Sequence, residues 1–407
     1  MKPPVLLAGT FDTKGEEYGF VRTAILERGH PVVTLDLGIL GAGMKPPFPV
    51  DITAEEVAAA GGASLAGLAA ARDRGSAVAA MQAGACVIVA RLFEAGRFGG
   101  MLGLGGGGGT AMITAAMREL PVGVPKVMVS TMASGNTAPY VDIKDITMMY
   151  SVVDIAGLNP LSIRILGNAA GAICGMLERD GSAAPAVGRP MIAATMFGVT
   201  TPCVTAARAR LEAAGYDVVV FHATGSGGRA MEGLIRDGFF AGVLDVTTTE
   251  WSDEVVGGVL SAGPDRLAAA GRRGIPQVVS VGAVDMVNFG PADTVPERFR
   301  GRTLYRHNQA VTLMRTSPAE GRSIGRRIAG QLGQATGPVV LMLPLRGVSM
   351  LDAEGQPFHD PEADRALFEE LNRHAGTGVR VRELDLHIND EAFAHAMADE
   401  LLNHLKN

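Results

Sequence analysis

The chain contains 407 residues, and 54 of them are glycine, which is about 13% against a typical usage of about 7%. The glycines follow no three-residue period, which excludes a collagen-like chain, and the hydrophobic content of 47% excludes a disordered one. A net charge of −6 argues against a general nucleic-acid-binding protein, because such a protein needs a basic surface that neutralises phosphates.

The N-terminal half begins with alternating strand and helix patterns. Residues 4–9 predict a short buried strand, residues 18–26 a helix that ends at Gly29, and residues 31–36 a second strand. A strand, a helix and a strand in this order form a βαβ unit, which requires a parallel sheet. Further along the chain we predict alanine-rich helices over 54–98, strands at 101–104 and 125–131 on either side of a glycine run and a helix, and a last helix over 161–179.

The C-terminal half repeats this order. Strands are predicted at 191–196, 216–221, 241–246, 277–281, 339–343 and 379–386, and a helix over 200–214 ends at Gly215. A shift of 186 residues superimposes Phe11 on Phe197 and Gly29 on Gly215. We therefore predict an α/β protein with two doubly wound, Rossmann-like parallel-sheet subdomains and a cleft between them. Residues 1–180 form a nucleotide-binding subdomain, 181–189 a linker of small residues, and 190–407 the second subdomain.

The loops that leave the strands are the first places to look for a site, because open α/β sheets bind ligands beyond the carboxyl ends of their strands. In the first of these loops, Thr10, Thr13 and the backbone amides that open the helix can hold phosphate oxygens, and Lys14 adds a positive charge. An N-capping turn with a solvated lysine is the alternative interpretation.

The run Gly105 to Gly109 gives the strongest functional signal. It follows a strand and precedes a helix, and consecutive glycines can turn successive N–H groups towards an anion at a helix start. Ordering glycine costs up to about 1 kcal/mol per residue relative to alanine, which suggests that something approaches this backbone closely. A flexible loop is the alternative.

Two further features complete the predicted nucleotide site. The loop 130–136 offers small hydroxyl groups in the same crevice, and Asp36 ends a strand where related sheets place a ribose-binding carboxylate, although an ordinary turn aspartate fits equally well. The predicted nucleotide-binding residues are Gly9, Thr10, Asp12, Thr13, Lys14, Asp36, Gly105, Gly106, Gly107, Gly108, Gly109, Thr110, Thr131, Ser134 and Gly135.

Carboxylates are dense after a strand of the C-terminal half, where Asp245, Glu250, Asp253 and Glu254 lie within ten residues. Such a group can bind a hard cation or act as acid and base, and helix capping is an equally good explanation. Arg346 follows another strand and is a candidate anion anchor. We assign Glu250, Asp253 and Arg346 as candidate catalytic residues and assign no metal ligand.

The remaining patterns indicate a cytoplasmic protein without a membrane segment. The three cysteines are widely spaced in apolar surroundings, which is typical of reduced, buried thiols, and the apolar run before Asp12 is too short for a signal peptide. Residues 98–117 carry no charge, but eight of them are glycine, five in a row, and such a run cannot hold a stable membrane-spanning helix, so we interpret the glycine run as a loop.

Several motifs together resemble an uncharacterised bacterial family. They are residues 9–15, 103–106 with Thr110, 121–126, 130–135, 247–250, 261–267 and 344–352, and the resemblance covers nearly the whole chain. That family is similar to the N-terminal, ATP-binding domain of the tomato protein that confers tobamovirus resistance. The resemblance implies two α/β subdomains, ATP binding and a homodimer or higher oligomer. The family usually interrupts the glycine run with serine, where this chain has glycine at Gly107 or its neighbour.

Three functional hypotheses follow. The first is a protein that binds ATP, alone or with Mg²⁺, and couples it to chemistry on a small anionic metabolite. The second is an enzyme of small-acid or sugar-acid catabolism that uses no ATP. The third is a regulatory or interaction module in which ATP only fixes a conformation.

Overall fold

The computed structural model describes residues 2–39, 46–179 and 188–406, and the chain divides into two compact units, 1–185 and 186–407. Most of the predicted linker, residues 181–187, lies outside the described residues.

The N-terminal unit contains a parallel sheet of five strands in the order β2-β1-β3-β4-β5. The strands are β1 (Val5–Gly9), β2 (Val32–Asp36), β3 (Gly100–Gly105), β4 (Lys126–Ser130) and β5 (Thr147–Tyr150). The helices described in this unit are α1 (Phe11–Glu27), α2 (Ala54–Ala60), α3 (Leu65–Ala71), α4 (Arg74–Glu94), α5 (Gly107–Arg118), α6 (Ala138–Val141) and α7 (Pro160–Glu178). The strand order reverses between β1 and β3, which is the point where doubly wound sheets bind ligands.

Alternate side chains of the central strands enter two different cores. Val5 and Leu7 of β1 pack with α1 and α7, whereas Leu6 and Ala8 pack with α4 and α5. Such two-sided burial explains why these strands have continuous apolar sequences and not alternating ones.

The C-terminal unit contains a six-stranded sheet in the order β14-β13-β9-β8-β6-β7, with parallel neighbours throughout, and a separate three-stranded antiparallel sheet β10-β12-β11. The strands are β6 (Met191–Met196), β7 (Asp217–His222), β8 (Gly242–Thr247), β9 (Gln277–Gly282), β10 (Met286–Phe289), β11 (Leu304–Arg306), β12 (Thr312–Arg315), β13 (Val339–Pro344) and β14 (Val379–Leu384). The described helices are α8 (Thr201–Ala213), α9 (Ser226–Arg236), α10 (Glu250–Val256), α11 (Ala269–Arg273), α12 (Pro318–Leu332), α13 (Pro361–His374) and α14 (Glu391–Leu405). Two doubly wound α/β subdomains are thus confirmed.

The local details agree with the sequence analysis in part. Gly29 and Gly215 follow α1 and α8 with φ of 81° and 96°, a conformation that glycine adopts without strain. The glycine run was wrongly interpreted as a loop throughout, because Gly107 to Gly109 form the first turn of α5. The strand β5 and the antiparallel sheet were not predicted, and the polar residue Asn288 lies buried in β10.

Two helices of the N-terminal unit, α4 and α7, are long and apolar enough by length and composition to cross a membrane. This property is weak support for a membrane span, because the core helices of α/β proteins share it. Here Met81 and Ile88 of α4, and Leu166 and Ile173 of α7, are buried in the two cores beside the sheet. All three cysteines are free thiols, and burial raises the pKa of Cys203 to about 12.

The Tyr18 hydroxyl fills the gap that opens between β1 and β3 at their carboxyl ends. Pairing of these strands ends at Ala8 and Gly103. Beyond that point the hydroxyl accepts a hydrogen bond from Leu104 N at 2.9 Å and lies 2.8 Å from Ala8 O and 2.7 Å from Leu104 O, to one of which it donates. A Cβ on Gly9 would lie 1.7 Å from the hydroxyl oxygen, so this position requires glycine.

We expect Tyr18→Phe to lower the free energy of unfolding by about 1–3 kcal/mol, because it leaves buried backbone groups without a partner. Urea denaturation measures this change. The matched variant Tyr150→Phe removes a hydroxyl from an exposed side chain of β5 and should change stability by less than about 0.5 kcal/mol. Equal stability of the two variants would contradict the assigned role of Tyr18.

Candidate functional site

A cavity of about 760 Å³ lies at the carboxyl ends of β1 and β3 in the N-terminal unit. Its lining residues are Thr10, Asp12, Thr13, Lys14, Ile39, Leu68, Ala69, Arg72, Asp73, Arg74, Ala77, Val78, Gly106, Gly107, Gly108, Gly109 and Met112. The structure therefore brings together the first strand-to-helix loop and Gly106 to Gly109 of the glycine run, which are 92 residues or more apart in sequence (Lys14 to Gly106). It adds an apolar wall and a charged corner, which the sequence analysis did not identify.

The loop from Thr10 to Lys14 is an irregular helix start. Lys14 has φ of −133° inside α1, and the Thr13 hydroxyl lies 3.0 Å from the Thr10 hydroxyl. The Lys14 ammonium donates a hydrogen bond to Ile155 O. Asp12 is buried, and its Oδ2 accepts a hydrogen bond from Ile39 N at 2.9 Å, so it connects this loop to the end of β2.

The five glycines differ in what surrounds them. A Cβ on Gly105 would lie 3.1 Å from Gly109 Cα, which makes Gly105 a close contact between β3 and α5. Gly106 is the N-cap of α5, and a Cβ there would lie 3.7 Å from Thr131 Oγ1. For Gly107, Gly108 and Gly109, a Cβ would meet no atom of the described residues closer than 3.6 Å, and none of the three has a positive φ.

A charged corner between α3 and α4 forms the part of the cavity that sequence reasoning missed. Arg72 ends α3 in the left-handed conformation, and Asp73 caps α4 by accepting hydrogen bonds from Gly75 N and Ser76 N. Arg74 is the first residue of α4. A signal was present, since Arg72, Asp73 and Arg74 are the only charged residues between Glu56 and Arg91.

Other predicted nucleotide-binding residues do not line this cavity. Thr110 is buried and its hydroxyl lies 2.7 Å from Ser130 Oγ, which ties α5 to β4. Asp36 Oδ1 accepts hydrogen bonds from Phe11 N and Gly38 N, and burial raises the pKa of this carboxyl. Thr131 lines a smaller cavity of about 280 Å³ with residues 150–154, whereas Ser134 and Gly135 line neither cavity.

The predicted catalytic carboxylates of the C-terminal unit are buried and hydrogen-bonded. Glu250 accepts hydrogen bonds from Gly225 N, Gly228 N and Arg266 Nε at 2.7–3.1 Å. Asp253 accepts hydrogen bonds from Asn288 N and Leu260 N, and burial raises its pKa to about 7. These contacts give both residues a structural role, and their catalytic role stays a prediction.

Arg346 is exposed and forms a bidentate ion pair with Asp385 at 2.7–2.8 Å. It lines a separate cavity of about 290 Å³ in the C-terminal unit, together with His359, Arg365 and Glu369. Its role as an anion anchor also stays a prediction.

Comparison with known proteins gives the family. Residues 3–182 match the N-terminal domain, and residues 189–405 the C-terminal domain, of the uncharacterised protein family UPF0261. The chain belongs to this family.

Relatives of this UPF0261 protein occur in bacteria and in a plant. It is 52% identical to the UPF0261 protein of Clostridium tetani over 405 residues, which cover 99% of each chain. It is also 52% identical to a UPF0261 protein of Rhizobium meliloti, with 96% of each chain covered. The ToMV resistance protein Tm-1 of Solanum lycopersicum is 46% identical over 335 residues, which are 81% of this chain and 44% of the tomato protein.

The C-terminal unit of this UPF0261 protein also buries a cluster of three carboxylates around one arginine. Arg315 donates hydrogen bonds to Asp352 at 3.2 Å and to Asp364 at 2.6 Å, while Asp285 accepts one from Ser349 Oγ at 2.7 Å. Burial, followed by repulsion from Asp285 and Asp364, raises the pKa of Asp352 to about 9. This direction favours the protonated form of Asp352, which shares a side-chain hydrogen bond with Asp364.

A carboxyl group whose pKa is higher in the folded than in the unfolded chain stabilises the fold. This stabilisation is complete below the ordinary aspartate pKa of about 3.9 and is lost as the pH rises through the pKa of the folded state. We therefore expect the free energy of unfolding to fall as the pH rises from about 4 to about 9, the value for Asp352. Asp352→Asn, which carries no charge at any pH, should make this dependence shallower. Urea denaturation at a series of pH values measures it.

The control for this experiment is Asp385→Asn. Asp385 is exposed, and its hydrogen bond with Arg346 lowers its pKa, so its charge does not change in this pH range. The control should keep the pH dependence of the wild type. An Asp352→Asn variant with that same dependence would disprove the assignment of a proton to Asp352.

Proposed function

We propose that the N-terminal unit binds ATP in the cavity at the ends of β1 and β3, with the phosphates against the first turn of α5. One observation carries this proposal. The backbone of α5 would crowd a side chain at Gly105, but the fold leaves room for one at Gly107, Gly108 and Gly109. Each of these three glycines lowers helix stability by up to about 1 kcal/mol relative to alanine, so an approaching ligand accounts for them better than the fold does.

The start of α5 has the geometry that phosphate binding requires. The first N–H groups of a helix have no partner within the helix, and the helix dipole favours an anion there. The N-cap of α5 is Gly106, which has no side chain to accept hydrogen bonds from these N–H groups. Phosphate oxygens can supply that acceptor, as they do in other proteins with a glycine-rich strand-to-helix loop.

The apolar part of the cavity lining suits a nucleoside. Ile39, Leu68, Val78 and Met112 supply apolar side chains, and the volume of about 760 Å³ falls within the usual range for small-molecule sites. Apolar side chains in the same cavity as an anion-binding helix start favour a nucleotide over a simple inorganic anion. ATP is also the ligand that the family resemblance implies.

ATP should raise the melting temperature of the full chain by mass action, measured with and without Mg²⁺. A shift that saturates with ATP concentration supports the proposal, and no shift at millimolar ATP refutes it. ADP formation in the same preparation would indicate an enzyme, for which a small anionic metabolite is the proposed acceptor. Unchanged ATP would indicate a module that uses the nucleotide as a conformational ligand.

We expect Gly107→Ala and Gly108→Ala to affect stability and binding in opposite directions. Each variant should stay folded or gain up to about 1 kcal/mol, because alanine favours the helix. Each should weaken ATP binding about tenfold or more, because the new methyl group obstructs the approach of a phosphate, and tenfold corresponds to about 1.4 kcal/mol. Thermal unfolding and isothermal titration calorimetry measure the two effects.

Gly167→Ala is the matched control, since Gly167 lies inside α7 and a Cβ there meets no described atom within 4 Å. It should gain similar stability and bind ATP like the wild type. If all three variants bind ATP equally well, the glycine run is not the phosphate site.

A further inference from the structure

We propose that Arg74, supported by Arg72, recognises the outer phosphates of the nucleotide, so that the cavity selects nucleoside triphosphates over monophosphates. This inference rests on the proposed function and names the ligand class of the same cavity. It assigns a recognition role to the junction of α3 and α4, which lies outside the glycine run and outside the loop from Thr10 to Lys14.

The cationic side chains that line the cavity differ in their hydrogen-bond and ion-pair partners. Lys14 donates a hydrogen bond to Ile155 O. Within residues 2–39, 46–179 and 188–406, Arg72 and Arg74 have neither an ion-pair nor a hydrogen-bond partner on their side chains. Asp73, the carboxylate between them, is held by Gly75 N, Ser76 N and the Ser76 hydroxyl, and the hydrogen bond from that hydroxyl lowers its pKa. The two guanidinium groups are therefore available to a ligand.

Arg74 lies over the first turn of α5. Its Nη2 is 3.6 Å from the position of a Cβ on Gly108, one of the residues whose N–H groups open that helix. An anion held at this helix start is thus within reach of the guanidinium group. A planar guanidinium group binds phosphate oxygens through two parallel hydrogen bonds, which a lysine ammonium cannot do.

The packing of two helices places Arg74 beside the glycine run. The helix α4 packs against α5 through the core that contains Met81, Ile88, Met112 and Ala116, and its first residue lies beside the first turn of α5. The left-handed backbone of Arg72 turns the chain between the two helices. A first phosphate at the start of α5 leaves the next phosphates of a longer chain for Arg74 and Arg72.

The test measures the affinity of ATP, ADP and AMP for the full chain by calorimetry. The wild type should bind ATP more tightly than AMP. Arg74→Gln should weaken ATP binding about tenfold or more, as expected for the loss of a charge-assisted hydrogen bond, and should weaken AMP binding less than about threefold. Arg74→Lys keeps the charge but loses the bidentate geometry, so its ATP affinity should lie between those of the wild type and Arg74→Gln. Inorganic tripolyphosphate should compete with ATP on the wild type and compete less well on Arg74→Gln.

Arg91→Gln is the matched control, because it removes the same charge from an exposed position of the same helix outside the cavity. It should leave all three affinities unchanged. Two results would overturn this inference and leave the proposed function intact, provided that the wild type binds ATP. In the first, Arg74→Gln binds ATP as tightly as the wild type. In the second, Arg74→Gln loses affinity for ATP and for AMP by the same factor. Wild-type protein that binds no ATP would overturn both. Arg74 is exposed, so the unfolding temperature of the free variants should match that of the wild type, and Arg74→Lys provides a second variant that preserves the charge.

Discussion

The N-terminal unit depends on how two parallel strands separate at the point where the strand order reverses. Beyond Ala8 and Gly103, β1 and β3 no longer pair, and their backbone groups are buried. A buried backbone group without a partner costs about as much as a lost hydrogen bond, so the gap has to be filled by a polar atom. The Tyr18 hydroxyl fills it, and its position fixes the first half of α1, requires glycine at Gly9 and leaves open the space beyond the strand ends.

The glycines of the run Gly105 to Gly109 have different structural reasons, position by position. Gly105 is favoured by the close packing of β3 on α5, which is a property of the fold. The next residues begin a helix in which alanine would be more stable, and the available space would accept it. Stability alone therefore does not explain glycine at Gly107, Gly108 and Gly109. All three positions line the cavity, where the absence of a side chain leaves the backbone accessible to a ligand.

Much of the fold was predictable, because buried parallel strands have continuous apolar sequences and Gly29 and Gly215 mark the ends of their helices. The antiparallel sheet was missed because β10, β11 and β12 have only three or four residues each and include the polar Asn288 and Arg315. The glycine run and the Thr10–Lys14 loop were found by their positions after strands. The arginines at 72 and 74 were missed because charged residues in a helical region are usually solvated, and only the packing of α4 on α5 brings Arg74 to Gly108.

The C-terminal unit uses the same point of its sheet differently. Pairing of β6 with β8 ends at Ala194 and Leu244, and the Thr195 hydroxyl bridges the gap by bonding Asp245 Oδ1 and Thr247 N. Beyond it, the Arg266 guanidinium group is buried between Asp245, Glu250 and Glu232. Glu250 takes the N–H groups of Gly225 and Gly228, so the chain itself supplies the anion at the start of α9. Buried ions of this kind are held in place because removal of one partner leaves an uncompensated charge, which costs about 3–5 kcal/mol. Two sheets with the same strand reversal therefore differ in chemistry: one encloses its own carboxylate at a helix start, and the other presents a helix start without one to a cavity.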